Sequence, residues 1–171
     1  TCALPIFMTS PFSMRNRIIN GAGEVAQRGT SFSGTAFGTY TLDRWIKQAG
    51  GTAPGNTAIS QVSSGGLSGL PYAIRYQRIA GSSGSGGCYI SQLIESVNCR
   101  DLSGKTVILS FWARKGANFS ESSNTLSCHI YTGSGVDEGY TLYNAGTWAN
   151  FAQTAQNKDR KSTRLNSSHV K

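Results

Sequence analysis

No apolar run in this 171-residue chain approaches the ~20 residues that a transmembrane helix requires, so membrane insertion is not expected. Thr1 to Met14 also lacks the basic stretch followed by an apolar one that marks a secretory signal. Charge is scarce, at 14% of residues. Catalytic and metal-binding signatures are missing too: there is no CxxC pair, no GxSxG elbow, no Walker loop and no HExxH. Against these shortages stand 21 glycines, 10% aromatic residues and many serines and threonines. That balance indicates strands and loops, because a helical domain would carry more Ala, Leu, Glu and Lys. The length suits one domain with a real core.

The formal net charge of +8 invites a nucleic-acid reading, but the two ends distort it. Asp159-Arg160-Lys161-Ser162-Thr163-Arg164-Leu165-Asn166-Ser167-Ser168-His169 has neither hydrophobic period nor turn logic. It is similar, codon for codon, to the translation of a common short-read sequencing adapter. Thr1-Cys2-Ala3-Leu4-Pro5-Ile6 resembles the same adapter read on the other strand. Residues 1–6 and 159–171 are therefore set outside the domain, leaving an N-terminal arm over 7–15 and a domain over 16–158. Residues 7–158 carry twelve basic and seven acidic side chains, a net +5. Their bases (Arg28, Arg44, Arg75, Arg78, Arg100, Arg114) are scattered rather than striped, so no nucleic-acid partner is expected. The exclusion also leaves one histidine, His129, and three cysteines, Cys88, Cys99 and Cys128. These fit buried free thiols better than a disulfide.

Turn clusters cut the remaining chain into short segments. They lie at Gly50–Asn56, Ser63–Gly66, Gly81–Gly87, Asp101–Lys105 and Thr132–Gly135, where dense Gly and Ser supply positive-φ positions. Between them, alternation predicts strands. Thr106–Arg114 is the clearest: Val107, Leu109, Phe111 and Ala113 form an apolar face, and Ile108, Ser110, Trp112 and Arg114 a mixed one. Tyr72–Ile79, Cys88–Ser96, Leu126–Tyr131, Tyr40–Ile46 and Arg17–Asn20 are the other expected strands. Only Gly23–Arg28 has a helical pattern. Strands at this spacing indicate an all-β, antiparallel sandwich.

The acids Glu24, Asp43, Glu95, Asp101, Glu121, Asp137 and Glu138 are dispersed and form no carboxylate pair. His129 lies in an apolar strand-like run and reads as a structural or partly exposed side chain. No catalytic constellation assembles, and the expected activity is not enzymatic. No cofactor is expected either.

Several segments together carry a resemblance. Asn16–Gly21, Val25–Thr30 and Tyr40–Trp45 resemble the opening of a jelly-roll domain found in bacteriophage tail and other virion proteins. Asp101–Thr106 followed by Leu109–Arg114 is similar to the central strand of carbohydrate-binding modules with the galactose-binding-like fold, and Ser91–Glu95 fits the strand before it. The resemblance spans most of residues 16–150. It implies a jelly roll, an extracellular or virion location, and a glycan or neighbouring virion subunits as partners. Its pattern at Gly146-Thr147-Trp148 leads into a further strand, with more strands to follow; here adapter-like sequence follows instead, so the expected domain is incomplete. Such jelly rolls often hold a structural calcium ion, but no cluster of oxygen ligands stands out.

A sugar site needs aromatic faces for the apolar side of a pyranose and amides, carboxylates or Arg for its hydroxyls. Trp112 and Arg114, on the mixed face of the best strand, are the leading candidates, joined by Gln92 and Tyr131 if their strands are neighbours. The competing reading packs Trp112 under a loop. Asp43-Arg44-Trp45 reads as a fixed corner, with Asp43 and Arg44 paired and the indole buried. A virion domain that packs on other subunits without binding sugar is the alternative function, favoured by an exposed apolar patch.

A sandwich short of its last strands exposes sheet edges and half a core. Expressed residues 1–171 should therefore aggregate or fold poorly, as read by size-exclusion chromatography. A cooperative melt of a monomer would contradict that expectation.

Overall fold

The computed structural model describes residues 16–34, 36–50, 56–67, 69–84, 86–119, 126–139, 147–158 and 164–170. Residues 1–6, the 7–15 arm, 159–163 and Lys171 lie outside them. The strands are β1 (Ser31–Ser33), β2 (Ile46–Gly50), β3 (Thr57–Ser63), β4 (Tyr72–Arg78), β5 (Gly87–Ser91), β6 (Val107–Trp112), β7 (Leu126–Thr132), β8 (Ala152–Lys158) and β9 (Arg164–Val170). One short helix, α1 (Ser96–Cys99), runs into a 3-10 turn at Arg100–Leu102. Every strand pairing is antiparallel, so the architecture is all-β. No helix among the described residues is long and apolar enough to cross a membrane.

The chain divides into two compact units, Thr1–Ile94 and Glu95–Lys171. The first holds a three-stranded sheet in the order β1-β3-β4 and the β2-β5 ribbon. With a partner on each edge, β3 is the central strand. Its residues Thr57, Ala58, Ile59 and Ser60 are buried in succession, as happens when a strand is covered on both faces. Leu42 and Ile46 complete the apolar core with Ala58 and Ile59.

Lys47 on β2 is buried beside that core, an expensive place for an ammonium group. Its Nζ donates to the Thr57 carbonyl at 3.1 Å and sits 5.1 Å from the centre of the Phe37 ring. Both contacts offset part of the lost hydration. Burial still pushes its pKa below the ordinary lysine value, with the charge of Cys88 acting the other way. Tyr76 donates to the Gln48 carbonyl at 3.0 Å, and burial raises its phenol to about 12.

Asn20 anchors the segment before β1. Its backbone is left-handed, at φ 55°. Asn tolerates that region better than most residues because its short amide bonds locally. Here Nδ2 donates to the carbonyls of Val25 (2.8 Å) and Asp43 (3.0 Å), and Oδ1 accepts from the Val25 amide. The Asn20 carbonyl accepts from Gly23 N and from the Trp45 indole, at 3.0 and 2.8 Å.

Several expectations need correction. Tyr40–Ile46 is a corner, not a strand: Trp45 N bonds Leu42 O, Arg44 stands at φ 74°, and only an isolated Tyr40–Ile46 bridge is strand-like. The corner itself is as expected, but it is held outward. The Asp43 carboxylate accepts from Gln27 N, Arg44 donates to Leu93 O, and the indole is half-buried. Arg17–Asn20 is not a strand and Gly23–Arg28 not a helix. Their amides are claimed by side chains: Ile18 N by Asn16, Ile19 N by Gln92, Val25 N by Asn20 and Gln27 N by Asp43. The strand expected over Cys88–Ser96 ends at Ser91, and Ser96 opens α1 instead. Ser96 and Asp137 trade bonds there, amide to carboxylate and amide to hydroxyl.

The second unit contains the β6-β9 and β7-β8 ribbons. Among residues 95–119, 126–139 and 147–153 of this unit none is buried, and their side chains pack in a half-exposed layer. β6 alternates as expected: Val107, Leu109 and Phe111 are half-buried, while Ile108, Ser110 and Trp112 are exposed. A strand at Ala152–Lys158 does follow Trp148, and it pairs with β7 over seven residues. Arg164–Val170, set outside the domain by its sequence, lies along β6 with a register shift between Leu109 and Phe111. Ladder bonds are made by backbone, so an open edge can be filled by a segment with no hydrophobic pattern of its own. Among the described residues the strands pair antiparallel, in one three-stranded sheet and three ribbons.

Asn20→Ala would leave the corner and the 23–25 loop with unpaired polar groups and a β-carbon at positive φ. A loss of about 2–4 kcal/mol is expected from urea denaturation, and Asn20→Gly should recover less than half of it.

Candidate functional site

The four residues predicted for a sugar site do not share a sheet. Gln92 belongs to the first unit, just after β5, whose sheet partner is β2. Its carboxamide is committed: Oε1 accepts from Ile19 N and Nε2 donates to Ile19 O, both at 2.7 Å. That is a structural clamp. Trp112 ends β6 with 49% of its surface exposed, beside Ile108 at 59% on the same face. Arg114 follows, exposed, beyond the strand. Tyr131 lies on β7, which pairs with β8 and not with β6. The condition that would have joined Gln92 and Tyr131 to Trp112, neighbouring strands, is not met.

Tyr131 instead sits in a row of rings that the sequence reading missed. His129 and Tyr131 are two apart on β7, so they share a face. Their ring centres are 5.9 Å apart and the planes within 6° of parallel. Tyr131 faces Gln153 across the ladder, and Phe151 lies two residues earlier on the same side. Phe151 is 5.3 Å from Tyr131 at 22°, and Trp148 meets Phe151 edge-on at 6.4 Å. Phe151 keeps 41% of its surface exposed; His129, Tyr131 and Trp148 are half-buried. These separations are those of interacting aromatic pairs.

Polar side chains border the row. Gln153 Nε2 lies 2.7 Å from His129 Nδ1. At the other end, Glu138 accepts the Ala149 amide on both carboxylate oxygens, at 3.1 and 3.2 Å. The Trp148 indole donates to Gly139 O, and Asn150, left-handed at φ 49°, donates to the Ser134 hydroxyl. Gly133 packs closely there: a β-carbon would stand 3.1 Å from Ala149 O and 3.3 Å from the Trp148 ring. The loop between 132 and 139 therefore fixes the angle at which Trp148 closes the row.

The available signal was in the sequence: Trp148, Phe151 and Gln153 follow the Gly146–Trp148 pattern closely. What it could not supply was the register that sets Gln153 opposite Tyr131. No group of three or more His, Cys, Asp or Glu side chains that could hold a metal ion occurs among the described residues. The cysteines are free as expected but less buried than expected: Cys88 is exposed, Cys99 and Cys128 half-buried. Comparison with protein-family models, with curated proteins and with solved structures returned no match.

Burial pushes the Cys128 thiol above the ordinary range, so less of it is thiolate at a given pH. Alkylation at pH 8, followed by peptide mass spectrometry, should label Cys88 first and Cys128 last. Equal rates would mean that the β7-β8 ribbon does not shield Cys128.

Proposed function

We propose that this chain is a non-catalytic, carbohydrate-binding-module-like domain, a jelly roll of the galactose-binding-like kind. It comes from a bacteriophage tail or virion protein, and it presents the His129–Tyr131–Phe151–Trp148 row to bacterial surface glycans. The observation that carries this reading is the row itself: half-exposed rings in series, bordered by amides, a hydroxyl and a carboxylate. Sugar rings offer an apolar C–H face and a rim of hydroxyls, and aromatic faces with a polar border complement both. The resemblance of Asp101–Thr106 and Leu109–Arg114 to carbohydrate-binding modules supports the same class. The dispersed acids suit binding rather than hydrolysis.

A second reading draws support from β6. Ile108 and Trp112 are exposed large apolar side chains on one face of β6, with Ser110 between them, and such side chains can pack on a neighbouring virion subunit. The two readings use different strands and separate by mutation.

A glycan-binding screen on the full chain, purified as whatever monomer size-exclusion chromatography yields, should find a ligand. Tyr131→Ala and Phe151→Ala should each weaken it by about tenfold, the equivalent of ~1.4 kcal/mol. Trp112→Ala should leave glycan affinity unchanged and, under the second reading, weaken subunit contact. Absence of any bound glycan would overturn the sugar reading, and a loss in Trp112→Ala equal to that in Tyr131→Ala would move the site to β6.

A further inference from the structure

We infer that His129 and Gln153 form a proton-set selector at one end of the aromatic row, matching neutral glycans when the imidazole is neutral and acidic glycans when it is charged. The inference rests on the sugar-binding reading above and starts from the 2.7 Å contact between Gln153 Nε2 and His129 Nδ1. With the amide placed so that Nε2 faces the ring, Nδ1 accepts, and the ring proton is assigned to Nε2. The pair then leaves one donor, His129 Nε2–H, and one acceptor, Gln153 Oε1; neither has a partner among the described residues. A donor beside an acceptor suits sugar hydroxyls, which give and take hydrogen bonds.

Protonation of Nδ1 makes it a donor, and two donors then face each other at hydrogen-bond distance. The least disruptive response is a half-turn of the Gln153 amide, so that Oε1 accepts from Nδ1–H. The pair now shows donors only, together with a positive charge. That combination favours carboxylate, sulfate or phosphate groups, whose hydrogen bonds to charged donors are the stronger kind.

Gln153 is the uncharged group facing the His129 ring from β8, and on its own strand the Tyr131 ring stands 5.9 Å away. Glu138, at the Trp148 end, is occupied by the Ala149 amide. No carboxylate or cation pairs with the imidazole among the described residues. Gln153 is diagonal to His129 across the ladder, within reach of a long side chain but not locked against it.

The test has two arms on the monomeric size-exclusion fraction of the full chain. Without glycan, NMR of histidine-labelled and glutamine-labelled protein should show the Gln153 amide protons shifting together with the His129 titration. His129→Phe should abolish that shift. With glycan, acidification should weaken binding of a soluble neutral glucan and strengthen binding of a polyuronate, each by about tenfold. Both trends should flatten in His129→Phe and in Gln153→Ala. An amide that ignores the His129 titration overturns the selector, whatever is bound. A coupled titration with neither polysaccharide bound at any pH overturns the sugar reading and supports the proton-linked turn. A coupled titration with pH-independent binding of either polysaccharide overturns the assignment of the selector to ligand choice.

Discussion

Asn20, held in a left-handed backbone conformation, answers five polar groups at once: the amide and carbonyl of Val25, the carbonyl of Asp43, the amide of Gly23 and the indole of Trp45. The first unit depends on this one residue because it has so little apolar core to rely on. Among the described residues four apolar side chains, Leu42, Ile46, Ala58 and Ile59, are buried in that core. The corner that delivers Leu42 and Ile46 into it is the corner that Asn20 pins. Hydrogen bonds of this kind contribute little each, on the order of 1 kcal/mol, but leaving the groups unmade would cost more. The constraint is thus polar closure first and hydrophobic burial second.

The buried Lys47 follows from the same economy of core. A strand that must bury every residue from Ile46 to Gln48 has to place a lysine stem against apolar neighbours and find an acceptor for its head. The Thr57 carbonyl and the Phe37 face are what the fold supplies. The second unit makes a different compromise. Four of its rings, His129, Tyr131, Phe151 and Trp148, gather along β7 and just before β8, and Phe151 is exposed while the other three are half-buried. Rings left partly in water make a weak core. The Glu138 carboxylate and the glycines at 133 and 135 hold the loop that ends it.

Much of the fold class was legible. Alternation located β4, β6 and β7 closely and gave β6 the correct inward and outward faces, because a half-buried strand writes its geometry directly into a period of two. β3 went unnamed, although it is the most buried strand. Thr57-Ala58-Ile59-Ser60-Gln61 is short, polar and non-alternating, as a strand covered on both faces by a small core need not alternate. The segments misread before β2 failed for another reason. At Ile18, Ile19, Val25 and Gln27 the backbone amides are satisfied by side chains of Asn16, Gln92, Asn20 and Asp43, three of them from distant sequence or from across a turn. Propensity cannot anticipate a ladder bond replaced by a carboxamide.

The site divides in the same way. The sequence by itself determined the all-β character of the chain and the aromatic character of Tyr131, Trp112 and Trp148. Those are properties of residue types and their local spacing. Only the tertiary structure decided that Gln92 is a clamp on Ile19, that Trp112 and Tyr131 lie on strands that do not pair, and that Phe151, Trp148 and Gln153 join Tyr131 and His129. Pairing register is a long-range choice, made between residues 20 or more positions apart in the β7-β8 ribbon. A shift of one residue would have turned every one of those side chains to the other face.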